Sequence, residues 1–135
     1  MVKIFYGKKG TGKSKIMVET ANGLIGASKG DVVFIDDDND LMYKLKHEIR
    51  FVNISEFPVK SIESFLGFTS GLIAENYDID SIFVDGLTYF VKEPLESLSS
   101  FFQILDSVSS KFGIDFYFSI NTDSEVLPES LSRYV

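Results

Sequence analysis

Apolar residues in this chain fall into two alternating patterns. Short apolar runs occupy 2–6, 32–35, 51–54, 82–84 and 114–120. Several are apolar at consecutive positions, which predicts strands covered on both faces of a sheet. Between them lie segments with three-and-four spacing. Residues 13–25 put Ile16, Met17, Thr20, Ala21 and Leu24 on one stripe. Residues 39–48 give a shorter stripe of Leu41, Met42 and Leu45, and 59–75 carry Ile62, Phe65, Leu66, Thr69, Leu72 and Ile73. Residues 95–112 give the clearest helix, with Leu98, Phe101, Phe102, Leu105, Val108 and Phe112 directed inward and Pro94 at its first turn. The order β-α-β-α-β-α-β-α-β predicts a three-layer α/β/α sandwich around a mainly parallel five-stranded sheet with right-handed crossovers. No repeat, low-complexity tract or linker interrupts it, so residues 1–135 are expected to form a single domain. The closing "NTDSEVLPESLSRYV" reads as a loop and the first residues of a further strand.

Composition fits that picture. At 44% hydrophobic and 14% aromatic residues the chain can fill a core, and without cysteine it has no disulfide, thiolate metal site or thiol nucleophile. No apolar stretch approaches the roughly 18 residues of a membrane span, so no membrane contact is expected and a cytoplasmic location is the expectation. The net charge of -7 argues against a broad nucleic-acid-binding surface, so direct nucleic-acid binding is not expected. The distribution says more than the sum. Lys3, Lys8, Lys9, Lys13 and Lys15 lie in the first fifteen positions with no acid before Glu19, whereas "IDDDND" packs four aspartates into six residues.

The stretch "YGKKGTGKS", between a strand and a helix, matches G-x-x-x-x-G-K-[ST], the phosphate-binding loop. Its glycines let successive backbone N–H groups converge on a phosphate at a helix N-terminus. Clustered glycines and lysines are unfavourable for folding alone, and a phosphate ligand offsets both. Gly7, Lys8, Lys9, Gly10, Thr11, Gly12, Lys13, Ser14 and Lys15 are therefore the candidate nucleotide-binding residues. Lys13 would neutralise β- and γ-phosphate charge, and Ser14 would offer a hydroxyl to Mg²⁺. A second hard ligand for Mg²⁺ is Asp85, where "SIFVDGLTYF" brings a buried apolar strand onto a carboxylate; the structural alternative is a turn or helix cap.

With these motifs in order, the chain resembles the RecA-type branch of the P-loop NTPases, which includes RecA recombinases, DnaB-type helicases and KaiC-type ATPases. The resemblance runs through "VVFIDDDND", "SIFVDGLTYF", the helix up to Phe112, and "FYFSIN". It implies Mg–ATP binding and slow ATP hydrolysis. Matching "FIDDD" to the family's "FIDAE" puts Asp38 at the position of the acid that orients the attacking water, with Asp36 and Asp37 as competitors for the role. Asn121 resembles the family's polar γ-phosphate sensor, with Thr122 as the alternative in a shifted register. Two other readings stand beside this one. Lys8 also resembles the early lysine of deviant-loop ATPases of the MinD and ParA type, although Lys9 replaces a glycine of that motif. A nucleotide-dependent switch with negligible turnover, engaging a protein partner or a second copy, would use the same loop. A metabolite kinase fits less well, because Arg50 and Arg133 are the only arginines. Each arginine is a candidate for reaching into a neighbouring copy's site. His47 lies on a polar face and reads as a surface residue. Tyr89 and Phe90, just past Asp85, are candidates for base stacking, with core packing as the alternative.

Overall fold

The structure, a computed structural model, describes residues 1–27, 29–123 and 126–135. Five strands form one sheet in the order β1-β5-β4-β2-β3: β1 Val2–Gly7, β2 Asp31–Asp36, β3 Arg50–Asn53, β4 Ile79–Val84 and β5 Asp115–Asn121. Every neighbouring pair is parallel. The helices are α1 Lys13–Leu24, α2 Ile62–Glu75, the single turn α3 Leu87–Phe90, α4 Ser99–Phe112 and α5 Glu129–Ser132. The expected strands, including the polar tip at Asn121, are all present.

Strand alternation separates two cores. Val32, Phe34 and Phe83 pack against Met17, Val18 and Ala21 of α1. Their strand neighbours Val33, Ile35, Ile82, Val84, Phe116 and Phe118 pack against Phe65 and Ile73 of α2 and Phe101, Phe102 and Leu105 of α4. This two-sided burial follows from the path of the chain. The connection through α1 runs one way along the sheet, those through α2 and α4 run the other way, and right-handed crossovers then put α1 opposite the other two. The result is compatible with a three-layer sandwich. On the α1 side, Phe51, Phe34, Phe83 and Tyr117 stand side by side across four strands, with successive ring centroids 6.5, 5.8 and 4.4 Å apart. That row fixes strand register, since a slip by one residue would turn each ring to the other face.

Four expectations are corrected. Residues 39–48 form no α-helix; only Met42–Lys44 makes a 3-10 turn. The side chain of Asn22 on α1 donates to the Lys44 carbonyl (2.9 Å) and accepts from the Lys46 N–H (2.8 Å), so backbone groups that a helix would pair internally are tied to α1 instead. Ile16 is 44% exposed, because α1 turns Met17, Val18 and Ala21 inward. Phe112, expected inside, is 41% exposed and stacks on Tyr77 at 6.3 Å. The C-terminal tail makes a helical turn, not a strand. Pro128 precedes α5 with φ fixed at -51°, and Leu131 and Tyr134, three apart, then enter the core beside Phe102. The Tyr134 carbonyl accepts the outward N–H of Ile4 (2.8 Å), so the tail covers part of the β1 edge.

Leu131 is fully buried, and Leu131→Ala should therefore lower stability by about 2–5 kcal/mol. Urea unfolding should show an earlier midpoint with an unchanged slope.

Candidate functional site

The loop after β1 is shaped by glycines where side chains would be strained. Gly10 and Gly12 have φ of 85° and 87°, in the left-handed region. Gly12 is the N-cap of α1 and supplies no capping side chain, and no acid occupies the first turn, so the first N–H groups of the helix face the loop without a side-chain cap of their own. Lys13 folds back over the loop instead of extending into water and is only 8% exposed. Its ammonium donates to the carbonyls of Gly7 (3.1 Å) and Lys8 (2.7 Å) and to Thr11 Oγ1 (3.2 Å). Burial lowers its pKa, and the nearby Asp85 charge partly restores it. The Thr11 hydroxyl in turn donates to the Lys8 carbonyl (2.7 Å).

Opposite the loop, two adjacent strands end in buried carboxylates: Asp36 closes β2 and Asp85 follows β4. The chain leaves β2 and β4 in opposite directions along the sheet, which makes this the topological switch point, where the carboxyl ends of parallel strands leave a crevice. Both oxygens of Asp85 are engaged. Oδ2 accepts from the Ser14 hydroxyl at 2.9 Å, and Oδ1 accepts from the Ser119 hydroxyl on β5, which itself accepts the Gly86 N–H at 2.8 Å.

Asp36 is different. Burial, a side-chain contact with Asp37 and the charge of Asp85 push its pKa up to about 8, against a smaller opposing effect from the Asp37 N–H donated to its Oδ1. It therefore holds a proton at neutral pH. Oxygens of Asp36, Asp37 and Asp38 lie within 4.8 Å of one another. Asp38 is exposed, and its Oδ1 accepts the Asp40 N–H at 2.9 Å.

These groups border one cleft of about 480 Å³. Lys9, Gly10, Lys13 and Ser14 line it from the loop side, Asp36, Asp37, Asp38 and Asp40 from β2, and Asp85 and Asn121 from between. Asn121 reaches it because β5 is inserted between β1 and β4. Thr122 is not on the wall; its N–H donates to the Gly7 carbonyl (3.0 Å) and closes the sheet edge. Of the remaining candidates, Gly7 ends β1, Lys8 and Thr11 bound the loop through the contacts above, and Lys15 points outward from α1. Arg50 stands at the start of β3, the sheet end opposite the cleft, and Arg133 pairs with Asp106 at 3.5 Å. His47 is exposed and lies 3.2 Å from Glu48.

Ser119 was not singled out from the sequence. Its signal is a lone serine in "FYFSIN", a strand otherwise apolar where it is buried, and a buried hydroxyl needs a partner. Tyr89 lines the cleft with 38% of its surface exposed, and Lys9 sits 5.9 Å from its ring centroid, so it is a wall residue and not core. Ser14, from the loop side, and Asp85, from the end of β4, present adjacent hard oxygen ligands of the kind Mg²⁺ takes. Among the described residues no helix is long and apolar enough to cross a membrane. No protein-family model matches the chain, and no curated protein matches it.

The raised Asp36 pKa gives a pH dependence of definite sign. Between about 4 and about 8 the folded state keeps a proton that the unfolded state has released, so this group's contribution falls as pH rises through that window. Asp36→Asn removes the titration. It should change stability little near pH 4 and raise it by at least about 1 kcal/mol near pH 8, which paired urea titrations at the two pH values will read.

Proposed function

We propose that this chain is a P-loop nucleotide-binding domain of RecA-like type that binds Mg–ATP and hydrolyses it slowly. The observation that carries the reading is the convergence on one cleft of a lysine ammonium held by its own loop, a serine hydroxyl paired with a buried aspartate, and a helix N-terminus without a cap. Lysine, backbone N–H groups and the helix dipole suit a polyphosphate. Ser14 and Asp85 would hold Mg²⁺, which supplies charge neutralisation between the phosphates when bound.

In the hydrolytic step a water oxygen attacks the γ-phosphorus, the bond to the β–γ bridging oxygen breaks, and ADP and phosphate leave. Lys13 faces the developing charge, and the Asn121 amide donates to a γ-oxygen. The water's proton goes to Asp38, an exposed carboxylate on the cleft wall. Slow turnover follows from the wall itself, since no arginine lies among its described residues to add positive charge. A specific observation favours the alternative of a switch with negligible turnover: one Asp38 oxygen is committed to the Asp40 N–H, which leaves that carboxylate half engaged.

Phosphate release from Mg–ATP separates the two. For an ATPase, Asp38→Asn should lower turnover by about 100-fold or more with nucleotide affinity unchanged. Absence of release by the wild type, with ATP bound, would leave the switch.

A further inference from the structure

Beside the nucleotide cleft lies a second cavity of about 450 Å³, at the same carboxyl edge of the sheet. It is bounded by the segment after β3 (Ile54, Ser55, Phe57, Val59, Lys60) and the segment after β4 (Tyr89, Phe90, Lys92). Asp37 and Tyr89 line both spaces, so one thin wall separates them. The aromatic part of the cavity is built in. Phe57 is 44% exposed, yet its ring is backed by Phe68 at 5.6 Å, and its loop is pinned by Phe57 N–H to the Ile54 carbonyl and Val59 N–H to the Phe57 carbonyl. Phe90 is backed by Phe65 at 5.7 Å.

The charge on this cavity runs against the net charge of the chain. In a protein of net charge -7, Lys60 and Lys92 both line it, and neither has a carboxylate partner among the described residues. The one acid, Asp37, stands on the wall shared with the cleft. Fixed rings beside unpaired ammonium groups complement a planar apolar body carrying an anion, and the volume is that of a small-molecule site.

We propose that this cavity is a second ligand site, for a small planar aromatic compound bearing a phosphate or carboxylate, with its ring against Phe57 and Tyr89 and its anion on Lys60 and Lys92. The site goes beyond the nucleotide-binding reading and stands whether or not ATP fills the neighbouring cleft.

The test is an NMR titration of ¹⁵N-labelled protein with phenyl phosphate, with phenol and inorganic phosphate as separate probes. Phenyl phosphate should shift the amides of 54–60 and 89–92 in the wild type and equally in Lys13→Ala. Lys60→Ala combined with Lys92→Ala should weaken binding about tenfold, and exposed Phe57→Ala should weaken it independently. Phenol and inorganic phosphate should each bind more weakly than phenyl phosphate. The proposal is overturned if these amides do not move, if their shifts survive loss of both lysines, or if Lys13→Ala abolishes them, which would assign the probe to the nucleotide cleft. It is equally overturned if a thymidine oligomer moves the amides and phenyl phosphate does not, since the surface would then take single-stranded nucleic acid.

Discussion

The site depends on how one buried charge is satisfied. Asp85 stands at the end of a central strand, 7% exposed, where an uncompensated carboxylate would cost several kcal/mol. Two hydroxyls from different elements meet it: Ser14 from the first turn of α1 and Ser119 from β5. The carboxylate thereby ties α1 to β4 and β5. Ser119 passes the connection on to the backbone through the Gly86 N–H, which orients the turn leading to Tyr89. The β1–β5–β4 order and the two hydroxyls are one arrangement, since only a strand between β1 and β4 can deliver both Ser119 and Asn121 to this place.

Around that point the charges divide. Ammonium groups and helix N–H groups lie on the loop side, and three carboxylates crowd together on the β2 side. Burial first, and then the neighbouring carboxylates, raise the Asp36 pKa, which favours its neutral form and eases the repulsion on that wall. The Mg–nucleotide proposed above would complement the two walls at once.

Much of this was legible because it is local. The glycine-rich turn between β1 and α1, the strand into Asp85 and the Asn121 tip depend on adjacent residues and on a strand period of two, which the sequence displays directly. What was not legible depends on distant partners. The 39–48 segment has helical spacing, but Asn22 of α1 takes its backbone groups. Ile16 and Phe112 keep an apolar period while the helices turn other residues inward. Ser119 acquires its meaning from a carboxylate 34 residues earlier in the chain. Nor could spacing rank the three aspartates, because burial separates Asp36 from Asp38 and burial is a property of the packed sheet.

The measurement that bears most directly on the central claim is calorimetric titration of ATP, with Mg²⁺ present, into the wild type and into Lys13→Ala at neutral pH. Nucleotide binding in the cleft predicts a saturable wild-type isotherm with one nucleotide per chain and its loss in Lys13→Ala, while the variant keeps the wild-type unfolding free energy to within about 1 kcal/mol. Equal binding by both proteins, or no binding by the wild type, would contradict it.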